Sequence, residues 1–489
     1  MKKSITHNAF NLTFSKAIVL GIAMMQNMLL SRYATLDEYG TFSQLNIAIN
    51  LATTIFLIGL PNSTNYFLAN TQNKIEEQKF LSLYFTLSTF LSIFAGIVLV
   101  FSTPYLSVFF ENPMIQKFVF FLAIIPWTKI IMGSLDNLMI YNNNVKVLVW
   151  YRFVNSILIL VIIFTAFYFG WDFRIYLFVF MLIESLFTLI VYYLVNIYYG
   201  KITLLLDMAY IKRVLYFSIP LGLSTIVGTL NVEMDKLIIG SFYSTEELAV
   251  YTNAARELPV TIISTSITAI LLPYLVKFVK NQKTSSAIEL WKEFTKISYF
   301  LISFIVMILF VFAPEVITFL YSEKYLGGTT VFRIYSIILL LRSTYYGIIL
   351  NSLGKTKFIF YSSIISLIVD IVLNVIFYYL FGFNGPAIST FVTLLIVALL
   401  QLKITANQIN YELRNIFPWI TIFQITGFGI FNALVLWYLD WLNVFNMFDS
   451  ELVESIFLTV IGSIFYFGFY SKKINKIIKL INSITEGIN

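Results

Sequence analysis

Residues 147–169 read VLVWYRFVNSILILVIIFTAFYF, a run whose one charged side chain is Arg152. As a helix rising about 1.5 Å per residue, such a run is about 35 Å long. That crosses a hydrocarbon core of about 30 Å. A helix apolar on every face needs apolar surroundings on every face. The rest of the chain supplies no soluble shell to bury it. The 489 residues are 59% hydrophobic and only 12% charged, about half the charged share of a soluble domain. The surroundings are therefore lipid, where each span must satisfy its own backbone hydrogen bonds as a helix.

Runs of the same kind recur along the chain. Spans are expected at 10–31, 40–61, 80–101, 115–135, 147–169, 174–198, 214–240, 248–276, 296–320, 331–350, 358–381, 386–404, 416–438 and 455–470. The first follows Met1-Lys2-Lys3. It is too long for a signal-peptide core and no small-residue cleavage site follows, so it reads as a retained span. The fold class is thus an all-α integral membrane protein with about 14 transmembrane helices.

Orientation follows from the basic residues. With the N-terminus inside, 21 lysines and arginines fall in or beside the inner breaks, against Arg32, Lys117, Arg174 and Lys324 in the outer ones. The +7 net charge is then a matter of topology, and no nucleic-acid partner is implied. Both termini are expected in the cytoplasm of a bacterial or archaeal cell membrane. Six of the seven tryptophans, Trp150, Trp171, Trp291, Trp419, Trp437 and Trp441, fall near expected span ends, and Trp127 does not. The longest inner break, 277–295, reads as a linker between lobes or as an amphipathic helix on the inner surface.

The chain also repeats itself. Residues 29–39, LLSRYATLDEY, match 238–248, IIGSFYSTEEL, at an offset of 209. Lys146 and Lys355 open spans 5 and 11 at the same offset, and Phe169-Gly170 and Phe381-Gly382 close them. A six-span repeat keeps its orientation, so the expected halves are parallel six-helix lobes around a central cavity. They are assigned to 1–200 and 201–410, with two further spans and a basic tail in 411–489.

The absence of cysteine and the single histidine, His7, exclude disulfides, thiolate chemistry and histidine-based metal or triad sites. His7 reads as solvated at the cytoplasmic surface. No cofactor, metal or catalytic residue is expected.

Charges inside spans carry the chemistry, because an ionised side chain at the bilayer centre costs about 2.5–3.5 kcal/mol on insertion scales. The bases are Lys16, Lys129, Arg152, Lys236, Arg256, Arg333 and Arg342. Arg152, Lys236 and Arg333 lie near span ends and snorkelling accounts for them. Arg256, Arg342, Lys129 and Lys16 are the candidates to hold an anionic group. The acids are Glu184, Asp235 and Asp370, with Glu233 and Glu257 beside outer ends. Asp235 reads as the pair of Arg256, or as a coupling group that releases it. Glu184 and Asp370 read as inter-helix hydrogen-bonding groups or proton carriers. Pro61 and Pro273 are expected to kink or close helices.

Residues 231–259, NVEMDKLIIGSFYSTEELAVYTNAARELP, resemble spans 7 and 8 of the oligosaccharide flippases of polysaccharide biosynthesis. These share a superfamily with the lipid II flippases and the multidrug/toxin extruders. Asn351-Ser-Leu-Gly354-Lys355-Thr-Lys357, Asn374 and residues 381–390, FGFNGPAIST, resemble their spans 10–12. The resemblance implies a V-shaped, two-lobed transporter that carries a polyprenyl-diphosphate-linked oligosaccharide to the outer leaflet by alternating access. It also implies that Arg256, after Tyr251-Thr-Asn-Ala254, faces the cavity, and that Lys16 matches a basic position in span 1, though without an arginine's bidentate fork. The partners it implies are the lipid-linked glycan, membrane lipids, a coupling ion or the membrane potential, and the polysaccharide polymerase machinery. A multidrug-extruder-like antiporter is the alternative. A polymerase would need a large external loop, and no outer loop exceeds about 20 residues.

Overall fold

The computed structural model describes residues 2–142, 144–256, 258–442 and 451–486, with side chains from Ile18 onward except at 65, 441, 451–452 and 471–486. Among them there is no strand. The first half runs α1 Lys2–Tyr33, α2 Leu36–Leu57, α3 Leu60–Ala69, α4 Lys74–Phe109, a 3-10 turn Pro113–Phe118, α5 Val119–Tyr141, α6 Val145–Phe169 and α7 Phe173–Tyr199. The second runs α8 Met208–Phe242, α9 Thr245–Ala254, α10 Ile262–Lys280, α11 Thr284–Val311, α12 Ala313–Leu320, a 3-10 turn Glu323–Gly328, α13 Thr329–Leu341, α14 Ile348–Ser352, α15 Thr356–Phe381 and α16 Gly385–Ile409. Then come α17 Leu413–Ile416, α18 Trp419–Trp441 and α19 Glu451–Glu486.

The repeat is written into this order. The starts of α2, α4, α5, α6 and α7 recur at α9, α11, α13, α15 and α16, with offsets drifting from 209 to 212. Local chemistry repeats with it. Thr35 and Glu38 cap α2 reciprocally, through Glu38 N–H to Thr35 Oγ1 (3.2 Å) and Thr35 N–H to Glu38 Oε2 (2.9 Å). Ser244 and Glu247 do the same for α9, at 3.2 and 3.0 Å. Each box satisfies amides that a helix start leaves open. Gly170 and Gly382 end α6 and α15 with positive φ, the conformation that favours glycine at a helix C-terminus.

By length and composition, eleven segments of the described residues are able to cross a membrane, or twelve if the bent pair α2 and α3 is one span. The expected fourteen is not reached on that count. Part of the difference is that Thr356–Ile409 counts once, although it comprises α15 and α16, two helices packed on each other.

The chain divides into two compact units, Met1–Thr252 and Asn253–Asn489. In the first, α3, α4, α5 and α7 enclose a core of Leu60, Phe80, Leu83, Tyr84, Ile131, Leu135, Leu138 and Val191. Residues 201–207 run extended along α4. Gln78 Nε2 donates to Lys201 O (2.6 Å), and Ser82 and Thr86 accept from the Thr203 and Leu205 amides (3.2 Å each). These three polar side chains are spaced by four, so one face of α4 satisfies a backbone that makes no helix. In the second unit, one cluster gathers Leu271, Leu275, Trp291, Ile348, Leu402 and Phe417. Another joins α11 to α18 and α19 through Phe300, Leu436, Leu458 and Tyr466.

Two expectations are corrected. The 277–295 segment is neither a linker nor a surface helix: only residues 281–283 interrupt it, and 284–295 are the first turns of α11. Ile288 and Trp291 there are 2% and 1% exposed. Trp291 is therefore not an interfacial anchor, because its ring fills a core. As expected of a kink, Pro61 stands just past the 40° bend between α2 and α3, in the first turn of α3, where its missing N–H costs nothing. Pro273 lies inside α10.

Candidate functional site

In the first unit, an intramembrane polar network is built on α2, α5 and α8. Asn46 and Asn50 lie one turn apart on α2 and present two amide oxygens on one face. Lys129, from the middle of α5, donates to both, at 3.2 Å to Asn46 Oδ1 and 2.9 Å to Asn50 Oδ1. Asn50 passes the chain on, its Nδ2 donating to Glu233 Oε1 at 3.0 Å. The other oxygen of Glu233 pairs with Lys236 Nζ at 3.0 Å. Glu233 is only 5% exposed, and both of its oxygens are engaged. Asp235 accepts from Tyr251 Oη at 3.1 Å.

The bases of this unit thus sort by partner. Arg152 forks onto Asp136 Oδ1 at 2.6 and 2.9 Å. Lys236, expected to snorkel, instead sits within α8, paired with Glu233. Lys129 has two neutral amides and, among the described residues, no ion pair. Two of its three donors are used, and no carboxylate touches it directly, Glu233 being reached only through Asn50. Such a group is poised to receive an anion. Glu184 accepts from Asn155 Nδ2 at 3.0 Å, which ties α7 to α6.

In the second unit, both candidate arginines lie where helices break, and this corrects the expectation that they sit inside continuous spans. Arg256 follows the end of α9, with its amide bonded to Asn253 O (3.2 Å), and α10 begins only at Ile262. A void of about 10 Å³ beside it is lined by Leu258, Leu309, Phe332 and Tyr335, room for about one water. Arg342 is the C-cap of α13, and the chain resumes helix only at Ile348. The break at 342–347 is held by one stripe of α11: Trp291 Nε1 and Thr295 Oγ1 reach Thr344 Oγ1 at 3.0 and 3.1 Å, and Ser298 Oγ donates to Ser343 O at 2.5 Å. In the repeat, α2 and α5 are continuous at the matching positions, near Ile47 and Met132. The unwinding therefore belongs to the second half, and to the arginines. Broken spans with free backbone groups are where transporters place polar ligands. Asp370, 3% exposed, accepts from Ser389 Oγ at 3.3 Å, bridging α15 and α16.

The side chain of Lys16 lies outside the described residues, as do Glu257 and most of the 439–454 break. Sequence reasoning missed Asn46 and Asn50. Their signal was present: two amides spaced by four in an otherwise apolar run, 45–49 being Leu-Asn-Ile-Ala-Ile.

Residues 29–330 match the model of a family described as polysaccharide biosynthesis protein. The chain belongs to that family. Solved structures agree on the fold. The lipid II flippase MurJ in an inward closed conformation superposes with a TM-score of 0.70 at 15% identity, over 95% of this chain and 100% of that one. A multidrug resistance MATE transporter of the MOP superfamily, inward-facing, gives 0.63 at 14% identity, over 80% and 94%. A MOP-superfamily transporter from Pyrococcus furiosus, described as having a binding pocket of reversed polarity, gives 0.56 at 14% identity, over 84% and 96%. No curated protein matches the sequence. The chain is a multi-pass membrane protein with the fold of the MurJ flippase and the MATE transporters.

Proposed function

We propose that this protein carries a polyprenyl-diphosphate-linked oligosaccharide from the inner to the outer leaflet of the cell membrane by alternating access. In this reading 1–200 and 201–410 are the moving lobes, 411–489 is appended to them, and both termini are cytoplasmic. Lys129 is the observation that carries the reading. A half-buried ammonium held by two neutral amides, with no carboxylate in direct contact, suits a diphosphate and repels a cationic drug. Arg256 and Arg342, at unwound backbone, extend the same preference, with Lys16 as a fourth contact. Glu184, Asp235 and Asp370 would set charge pairing and coupling, Asp235 by engaging Arg256 in part of the cycle. An inside-negative potential drives an anion outward by about 2.3 kcal/mol per charge per 100 mV, so transport needs no coupled ion on energetic grounds. The polysaccharide polymerase machinery would receive the product.

The test is reconstitution in liposomes, following the accessibility of a polyprenyl-diphosphate oligosaccharide to an external probe with and without an inside-negative potential. A cationic dye with a proton gradient is run beside it. Glycolipid equilibration without dye movement is expected. Dye export without glycolipid movement would assign the protein to extrusion instead.

A further inference from the structure

Three helix faces in the second unit fail to close on one another. Val306, Met307 and Phe310 of α11, Arg333, Ile337 and Leu340 of α13, and Gly429, Ala433 and Leu434 of α18 line a cavity of about 630 Å³. Its floor and mouth follow from the contacts. A Cβ on Gly429 would meet Ser303 Oγ at 3.1 Å, and just below, Tyr299 and Thr426 share a hydrogen bond of 2.6 Å. At the other end, Arg333 Nε donates to Phe310 O at 3.0 Å. Helices α11 and α18 thus rise together while α13 descends. From Ser303 to Phe310 the slot is about 10 Å deep, against about 15 Å for one hydrocarbon leaflet, half the usual core. It opens sideways: Ile430, Leu434 and Trp437 on its rim are each more than half exposed, and on the outside of a span that exposure is to lipid.

The mouth has one charge. The Arg333 guanidinium lies over the Phe310 ring, 5.6 Å from its centroid, while the Phe310 carbonyl holds its Nε. Backbone and ring of one residue fix the fork's direction, and among the described residues Arg333 forms no ion pair. Arg333 is four residues from the start of α13, and Trp437 is four from the end of α18. Both therefore sit at headgroup level, where indoles prefer to lie.

We infer that this slot binds an anionic phospholipid, one acyl chain between α11, α13 and α18 and the phosphate on the outer nitrogens of Arg333. About the upper two-thirds of an acyl chain fills the depth, and the chain suits the apolar lining and the lateral opening. The fork pairs with a phosphate through two charge-assisted donors, and it favours a net-negative lipid because a zwitterion brings its own cation beside that phosphate, which repels the guanidinium. The inference does not depend on the transported substrate.

The full-length protein, delipidated in detergent, would be titrated with phosphatidylglycerol and with phosphatidylcholine, and bound lipid counted by native mass spectrometry. Wild type should retain one phosphatidylglycerol at least tenfold more tightly than phosphatidylcholine. Arg333→Gln should lower phosphatidylglycerol retention about tenfold, to the level of the zwitterion. Gly429→Leu fills the floor and should lose both lipids. Ala433→Leu fills the same space and replaces it if Gly429→Leu does not fold. Equal retention of the two lipids by wild type, or undiminished phosphatidylglycerol on Arg333→Gln, overturns the proposal. So does a filled slot that changes the oligomeric mass while lipid stays bound.

Discussion

Lys129→Met separates transport from stability. The substitution leaves the oxygens of Asn46 and Asn50 without their donor, a cost of about 1–3 kcal/mol for buried acceptors. It also removes an ammonium whose presence at mid-span costs about 2.5–3.5 kcal/mol on insertion scales. These terms oppose each other at similar size, so insertion and thermal unfolding should change little. Transport has no such offset. A charge-assisted hydrogen bond to a diphosphate is worth about 1.5–3 kcal/mol, which is about 10- to 150-fold in rate if it is made only in the translocating state. Lys129→Arg keeps the charge and should stay within a few-fold of wild type. The assay is the liposome accessibility measurement, normalised to inserted protein, with detergent unfolding curves alongside. Met-variant flipping within about threefold of wild type, at normal insertion, would refute the assignment of Lys129 to the substrate path. A large loss of unfolding temperature would refute the cancellation argument.

Three further outcomes follow from the geometry. Glu233→Gln strips Lys236 of its ion pair and should destabilise by about 1–3 kcal/mol, below the full cost of a broken buried pair because Lys236 is 21% exposed; adding Lys236→Met should restore most of it in a double-mutant cycle. Gly59→Ala should fail to fold or unfold early in detergent. Its φ is +72°, and a Cβ there would stand 2.4 Å from backbone atoms of Ser218 and Gly222 on α8, whereas Gly133→Ala, with open space, should behave as wild type. At the head of α8, the Tyr210 amide and Lys79 hold the Asp207 carboxyl below its usual range. A depressed carboxylate stabilises above its unfolded value and loses that contribution as pH falls. Protection factors against hydrogen exchange at 208–212 should therefore fall as pH drops below about 3.9, and Asp207→Ala, which removes the cap, should lower them at every pH.

Much of this molecule was legible in its residues. Apolar runs, the bias of lysine and arginine, and the 209-residue echo depend on composition and order alone, and these fix a polytopic helical chain with an internal repeat. The reciprocal caps at Thr35 and Ser244 were legible too, because a capping box is local chemistry. The family resemblance rested on residues 231–259 and 351–390 and agrees with the matched family. Hydropathy could not show where helices stop inside the membrane. Leu-Leu-Arg342-Ser-Thr-Tyr-Tyr scores as span, yet the helix ends there because Trp291, Thr295 and Ser298, some fifty residues earlier, offer the backbone and Thr344 other partners. The same limit placed Trp291 at a surface it never reaches. Nor does sequence say what surrounds each intramembrane charge. Glu233 stands three residues before Lys236 on α8, so that pair is local, whereas Lys129 on α5 gets its two neutral amides only from the packing of α2. Local order sets what each segment can form, an i,i+3 pair such as Glu233–Lys236 included, but the amides that hold Lys129 come from a helix distant in sequence, so only tertiary structure shows what surrounds that charge.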